Sequence, residues 1–414
     1  MKFLAAFLLA IAMPMAFGAV SLTLPEAQRR ALERSRQLAA FDAGISSSRQ
    51  MAVVAGQLPD PVLRLGVDNV PADGGDRFSL TRDFMTMRRI GVMQEVTGSE
   101  KRGLRRQRYE LEAEKGSAER QAAFAAVQRD TAIAWLDRWH LEAMLRTVQD
   151  FIVASESEVQ SADSAYRGGR GMQADVFASR SALALAHDRR SEIERRLRMA
   201  RIELARWTGN GADESLAAPP DMSAVTLAAG ALEEHLSTHP EIVALGRQAE
   251  IASMEARIAD AGKRPDWTWE ATYQQRGPAY SNMFSVGVSV PLPWDAANRQ
   301  DREVAAKTAM AEEARARRDE MLRGHVAEVA GMLEEWRTGR ERQARYRREI
   351  LPLSGERTSA SLAAYSGGKS ALSDVLAARR SESDMLLQAI QLDLEVARTW
   401  ARLTFLLPHG SQTR

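Results

Sequence analysis

The chain has 414 residues, and its 56 Lys and Arg residues nearly balance 55 Asp and Glu residues. This balance argues against the strongly basic surface of a nucleic-acid-binding protein, so no nucleic-acid partner is expected. The sequence contains no cysteine, which excludes disulfides, thiolate metal ligands and a lipid attached to an N-terminal cysteine. The length suffices for one large domain or two moderate ones.

The N-terminus has the pattern of an export signal. Lys2 precedes a short apolar run, and small residues follow at 16–19. The run is shorter than the roughly 20 residues that a membrane-spanning helix needs. We therefore predict a signal peptide at 1–19, cleaved after Gly18 or Ala19. No later apolar run is long enough for a spanning helix, so any entry into the outer membrane would use β-strands.

The sequence repeats one pattern, with matching residues about 200 positions apart. The main motif pairs Tyr166 with Tyr365, Gly168 with Gly367, Gly169 with Gly368, Asp175 with Asp374, and Arg180 with Arg379. Two shorter matches pair residues 58–60 with 264–266 and residues 90–92 with 286–288. Because all three matches occur in the same order, we predict an internal two-fold sequence repeat.

The repeat defines the predicted organisation of the chain. The segments are repeat 1 at 20–208, a linker containing Gly and Pro at 209–231, repeat 2 at 232–407 and a C-terminal tail at 408–414. Each repeat is predicted to begin with a helix, at 24–57 or 232–262. A pair of strands and a long helical hairpin follow in both repeats.

Four short segments alternate between apolar and polar residues, which predicts β-strands. They lie at 63–68, 90–96, 267–274 and 284–290. The alternation suits a transmembrane barrel wall, and it equally suits a soluble sheet packed on a core. Trp267, Trp269 and Tyr273 would suit the membrane interface. Four strands cannot close a barrel, so membrane insertion would require several chains, and three would supply twelve strands.

Two long helical hairpins are predicted. Residues 99–165 contain no proline and would form a helix roughly 100 Å long. Apolar residues at coiled-coil spacings are Leu141, Leu145, Val148, Ile152 and Val159, and then Leu322, Val326, Val329, Leu333 and Trp336. Such narrow seams suit helices packed side by side in a bundle or tube wall. Pro352 is expected to kink the second long helix.

Each hairpin is predicted to reverse at a pair of glycines, at tips near 166–171 and 365–370. Glycine allows the positive φ that ends one helix and reverses the chain. Asp175 and Asp374 lie early in the returning helices, where a carboxylate stabilises the positive helix end. The repeated tyrosines, Tyr166 and Tyr365, are candidates for a contact site, because exposed aromatic residues often mark interfaces.

This arrangement resembles the outer membrane factor family, the TolC-like proteins. The resemblance rests on the tip motifs 166–176 and 365–375, the Pro-Asp pairs before the strands, and the strands centred on glycine. The short mature length and the absence of a lipidated cysteine look most like the subgroup serving cobalt-zinc-cadmium-type heavy-metal pumps.

The resemblance implies an α+β membrane protein located in the outer membrane. A homotrimer would form a twelve-stranded β-barrel in outer-membrane lipid, continuing into a twelve-helix periplasmic α-barrel. It would passively conduct substrate, with heavy-metal cations the leading cargo, from an inner-membrane RND-type transporter and a periplasmic adaptor protein. The adaptor would meet the tips, at Tyr166, Gly168, Gly169, Tyr365, Gly367 and Gly368.

The resemblance also implies a narrow tunnel entrance. Asp374 matches a family carboxylate that narrows the tunnel, and Asp175 is its counterpart in the first repeat. A second family carboxylate is replaced here by Ala377, and a basic family residue is replaced by Ser370. Because of these departures, the sequence does not identify the gating residues.

Two alternatives remain open: the same duct could carry small organic toxicants, or the chain could be a soluble periplasmic coiled-coil adaptor. An enzyme is not predicted, because the sequence offers no catalytic constellation and no cofactor motif. His235 and His239 have the spacing of a helical metal site, but Pro240 disfavours helix at His239. The other histidines are scattered, so no metal site is predicted.

Overall fold

The computed structural model describes residues 21–209, 213–225 and 232–408. The predicted signal peptide lies outside these residues, as do 210–212 and 226–231 of the predicted linker and all but the first residue of the predicted tail. The elements are α1 Leu24–Arg34, α2 Arg36–Ala55, β1 Val62–Asp68, β2 Met87–Val96, α3 Ser99–Arg167, α4 Gln173–Thr208, α5 Leu232–Ser237, α6 Pro240–Gly262, β3 Trp267–Gln275, β4 Met283–Ser289, α7 Gln300–Arg345, α8 Leu351–Ser366 and α9 Leu372–Thr404.

The helix predicted at the start of each repeat is two helices in the structure. Ser35 has an extended backbone, with ψ of 106°, and separates α1 from α2. In the second half, His239 is also extended and Pro240 is the first residue of α6. Proline fits the first turn of a helix, because the amide it lacks has no partner there. The predicted single helices at 24–57 and 232–262 were therefore wrong at these points.

The four predicted strands are present and form one antiparallel sheet in the order β1-β2-β3-β4. The central pairing joins β2 of the first half to β3 of the second, with Gly91 opposite Thr272. Glycine is required here, because a Cβ on Gly91 would lie 2.2 Å from Cγ2 of Thr272. The two halves of the chain thus meet at a close approach between their strands.

Contacts divide the chain into two compact units. The hairpin unit contains residues up to Ser35, Phe124–Ala229 and Ala330–Arg414. The sheet unit contains Arg36–Ala123 and Gly230–Val329. No helix among the described residues is long and apolar enough to cross a membrane.

One core of the hairpin unit forms around Trp135 of α3, which is fully buried among Leu136, Leu204 and Trp400. The indole Nε1 of Trp135 donates to the carbonyl oxygen of Leu22 at 3.0 Å. The indole of Trp400 donates to the carbonyl oxygen of Ala224 at 3.2 Å. The two tryptophans thereby hold the residues before α1 and the segment that connects the two halves.

The predicted seam of α3 forms a second core in the same unit. Leu141, Val148 and Ile152 are buried against residues of α4 and α9. The expected irregularity at Pro352 is also present, because a π-helical turn at Tyr346–Ile350 separates α7 from α8. The proline has no amide to donate, and the extra residue in the turn accommodates that loss.

Candidate functional site

The sheet has one apolar face, and the register shows how it is built. Paired residues of an antiparallel sheet share a face. One row across the four strands is Leu65, Ile90, Tyr273 and Phe284, and the next is Leu63, Val92, Ala271 and Val286. Every one of these side chains except Ala271 is exposed, and Phe284 reaches 71 %. A continuous exposed apolar surface of this kind marks a contact with lipid or protein.

The opposite face of the sheet is polar and contains ion pairs. Arg64 of β1 pairs with Glu270 of β3 at 3.3 Å, and Arg89 pairs with Asp68 at 3.4 Å. Thr272 and Ser285 occupy the same face in the central row. The predicted alternation is confirmed in the central rows, whereas Val62 and Met93 lie on the polar face and Arg88 and Gln94 on the apolar face.

Aromatic side chains lie at both ends of the apolar face. Trp267 and Trp269 lie at the end of the sheet that adjoins the long helices, whereas Tyr273 lies six residues beyond Trp267, roughly 20 Å away along the strand. The three residues therefore lie at different levels along the strand. Trp294, which is 91 % exposed just beyond β4, lies near the helical end and was not identified from the sequence.

Both edges of the sheet are open within the described residues. The outer edges belong to β1 and β4, and neither of them pairs with a further strand there. Unpaired backbone groups at an edge are a template for another strand. The sheet therefore has the two features that a shared barrel wall needs, an apolar face and two edges available for pairing.

The two hairpin tips have the same backbone geometry. At the first tip, Gly169 has φ of 71°, and the amide of Arg170 donates to the oxygen of Ala165 at 2.9 Å. At the second tip, Gly368 has φ of 70°, and the amide of Lys369 donates to the oxygen of Ala364 at 2.8 Å. These bonds close the helix ends through a left-handed glycine, as the sequence predicted.

The two tip tyrosines differ in their surroundings. Tyr365 packs against a small core in which α3, α4 and α9 meet, formed by Ala162, Val176, Leu372 and Val375. Tyr166 is 46 % exposed. The sequence repeat predicted equivalent roles for the two tyrosines. Their exposure differs because the ring of Tyr365 packs against this core. Tyr166 is the tyrosine available for an external contact.

We predict that Tyr166→Ala weakens binding of a partner at the tip without lowering the stability of the hairpin unit. Tyr365→Ala serves as the matched comparison and should lower stability by about 2–3 kcal/mol, since it removes a partly buried ring. Chemical denaturation of both variants would measure this difference. Equal destabilisation by the two changes would contradict the assignment.

Asp175 and Asp374 both cap the helices that return from the tips. Asp175 Oδ2 accepts from the amide of Met172 at 3.2 Å, and Asp374 Oδ2 accepts from the amide of Ala371 at 3.3 Å. Each carboxylate therefore satisfies an amide that would otherwise lack a partner at the helix start. The side chain of Asp374 remains exposed, which leaves its charge accessible.

Acidic residues of α3 face the repeated arginines, an arrangement that the sequence did not reveal. Glu158 of α3 pairs with Arg379 of α9, and Asp163 pairs with Arg167 at 2.7 Å and lies 3.9 Å from Arg180 of α4. Burial raises the pKa of the Glu158 carboxyl although Arg379 opposes that shift. The two arginines repeat in the sequence but their acidic partners do not, because α3 supplies the acidic partner for both returning helices.

The comparisons with known proteins agree with this geometry. Residues 231–409 match the model of the family described as outer membrane efflux protein. No curated protein sequence matches the chain significantly. The predicted resemblance to outer membrane efflux proteins is confirmed.

Solved structures of outer membrane channels share the fold of this chain. The open-state MtrE channel of Neisseria gonorrhoeae has a TM-score of 0.77 at 16% identity, covering 94% of this chain and 89% of that one. VceC of Vibrio cholerae has a TM-score of 0.71 at 19% identity, covering 91% and 96%. CusC, a transmembrane channel protein, has a TM-score of 0.78 at 14% identity, covering 93% and 92%. The helix-rich chain with its four-stranded sheet therefore shares its fold with these channel proteins.

Proposed function

We propose that this efflux-family protein is the outer-membrane duct of a tripartite efflux system and works as a homotrimer. Three sheets would close into a twelve-stranded barrel, and the long helices of three protomers would continue as a twelve-helix periplasmic tunnel. The apolar face of the sheet, with its two open edges, is the observation that carries the proposal. The two-fold repeat supplies each protomer with two strand pairs and two hairpins.

The edge strands determine the cost of placing a single sheet in lipid. Each backbone amide or carbonyl that lacks a partner in the hydrocarbon core costs several kcal/mol. The outer edges of β1 and β4 have several such groups each, so one sheet is unstable in lipid by itself. Pairing β1 of one protomer with β4 of the next satisfies them, and an even total of twelve strands is an allowed barrel size.

The hairpin tips are proposed as the docking surface for a periplasmic adaptor that couples the duct to an inner-membrane RND-type pump. Tyr166 and the glycine turns are exposed there, and both tips present the same backbone geometry. The duct itself carries out no bond chemistry, since energy and cargo selection would come from the pump.

Heavy-metal cations are the proposed cargo, with small organic toxicants as the alternative. Deletion of the gene followed by growth assays with zinc, cobalt, cadmium, copper and dyes tests the function and the cargo together. Sensitivity to metals alone supports the proposed cargo, and sensitivity to dyes alone supports the alternative. Unchanged sensitivity to every compound would argue against an efflux role.

Asp374→Asn is predicted to reduce the cation selectivity of the channel. Three copies of this exposed carboxylate near a shared axis would form a negative ring, which favours cations over anions. We expect the ratio of cation to anion permeability in single-channel recordings to fall by about threefold or more. Asp374→Glu retains the charge and should retain the selectivity. Unchanged selectivity in Asp374→Asn would show that the carboxylate acts only as a helix cap.

A further inference from the structure

Three metal-ligating side chains of the sheet unit lie together, although they are far apart in the sequence. His239 precedes α6, Glu241 lies in its first turn, and His325 belongs to α7. One ligand atom from each lies within 4.8 Å of the other two. His235, the partner of His239 suggested by sequence spacing, is exposed and does not belong to this group.

We propose that His239, Glu241 and His325 bind a divalent transition-metal ion, with zinc as the best match. Two imidazoles and one carboxylate form a ligand set found in zinc sites that keep a fourth position for water. Imidazole donors favour zinc, copper, cobalt and nickel over magnesium and calcium, which prefer oxygen ligands. None of the three residues belongs to the tips or to the four strands, and the proposal does not depend on the proposed duct function.

The distances suit such an ion. Atoms bound to a tetrahedral zinc ion at about 2.0–2.2 Å lie about 3.3–3.6 Å from one another. Nε2 of His325 lies 3.3 Å from Oε2 of Glu241, which matches one such edge. The rings of His239 and His325 meet edge to face, with centroids 5.2 Å apart. The ligand atom of His239 lies within 4.8 Å of the other two, so it would approach them by at most about 1.5 Å to complete the site.

Side-chain contacts between α6 and α7 fix the position of the cluster. Lys307 of α7 pairs with Glu255 of α6 at 2.8 Å, and Arg315 donates to Ser253 at 3.0 Å. His325 and Glu241 continue this series towards the start of α6. Along these contacts the residue numbers of α6 fall as those of α7 rise, so the two helices run antiparallel. The three ligands lie at the end of this row of contacts, near the start of α6.

Burial provides a partly shielded site with one accessible side. His239 is buried and the side chain of His325 is only 15 % exposed, whereas that of Glu241 is 55 % exposed. The two imidazoles are thus held by the protein, and the carboxylate can move to complete the site. The exposed side leaves room for water as a fourth ligand.

Metal binding would change the cap of α6. Nδ1 of His239 now accepts from the amide of Glu241 at 3.3 Å, a long hydrogen bond. Coordination through Nδ1 would occupy its lone pair, and coordination through Nε2 would place the ring proton on Nδ1, so either mode gives up this bond. The negative charge of Glu241 offsets the repulsion between the cation and the positive end of the helix.

The test is titration of the full-length, tag-free protein, purified in detergent and stripped with a chelator, with Zn²⁺ by calorimetry and with Co²⁺ by visible absorption. The expected result is one ion per protomer and the absorption of four-coordinate cobalt. His325→Asn should weaken zinc binding at least about tenfold, since loss of a direct ligand costs no less than loss of its supporting partner.

Two further variants separate metal binding from folding. His239→Asn keeps a good helix-capping residue, so it should weaken binding while thermal stability without metal stays near that of the unmodified protein. His235→Asn is the matched control and should leave binding unchanged. The proposal is overturned if the unmodified protein shows no saturable binding of Zn²⁺, or if His325→Asn binds the ion as tightly as the unmodified protein does.

Discussion

Val286→Arg is expected to remove most of the protein from the outer membrane. Val286 is the central residue of β4 and lies on the exposed apolar face, opposite Ala271. An arginine on the lipid face near the middle of a bilayer costs about 2–4 kcal/mol per copy. A trimer would carry three copies, so the cost rises to roughly 6–12 kcal/mol, enough to prevent stable insertion. Fractionation followed by immunoblotting of the outer membrane would measure the loss.

Ser285→Arg is the matched control for this change. Ser285 is the neighbouring residue on the same strand, and its side chain lies on the polar face opposite Thr272. The proposed barrel turns this face towards water, where an arginine is tolerated. We expect Ser285→Arg to reach the outer membrane at nearly the normal level. Equal loss of both variants would show that β4 tolerates no arginine on either face, and the assignment of faces would then be wrong.

Trp135→Ala is expected to destabilise the hairpin unit by about 3–5 kcal/mol, the range for removing a large buried aromatic side chain. The ring is fully buried in the core, and its hydrogen bond to Leu22 holds the N-terminal segment. The truncation therefore leaves a cavity and removes one of the two hydrogen bonds that the carbonyl oxygen of Leu22 accepts, while the bond from the amide of Ala217 remains. Limited proteolysis and the abundance of the protein in cells should both reveal the loss.

Trp294→Ala makes the corresponding change at an exposed site. Because Trp294 is 91 % exposed, its removal leaves no cavity in the protomer. We expect protease resistance of the hairpin unit to stay unchanged, while insertion into lipid weakens slightly through loss of an interfacial aromatic. Similar proteolysis of the two alanine variants would contradict the assignment of Trp135 to the core.

Local patterns in the sequence predicted most of the secondary structure. The period-two segments became the four strands, the proline-free stretch became α3, and the glycine pairs became the tips. The break before Pro352 followed from the chemistry of proline. These features depend on residues close together in the chain, which is why composition and spacing suffice to identify them.

The features that the sequence did not reveal depend on contacts between distant segments. His325 joins His239 only because α6 and α7 run antiparallel with a particular register. The break at Ser35 has no strong local signal, since serine is tolerated both within helices and at their ends. The unequal tip tyrosines also follow from tertiary packing, because only Tyr365 reaches a core formed by other helices.

The proposed trimeric duct is tested by the molar mass of the mature protein in detergent, measured by light scattering with correction for bound detergent. The same sample is then added to planar lipid bilayers. We expect a particle of three protomers that opens ion-conducting pores. A stable monomer that stays in solution without detergent, with Trp267 and Trp269 of β3 shielded from solvent and no pores formed, would contradict the proposal.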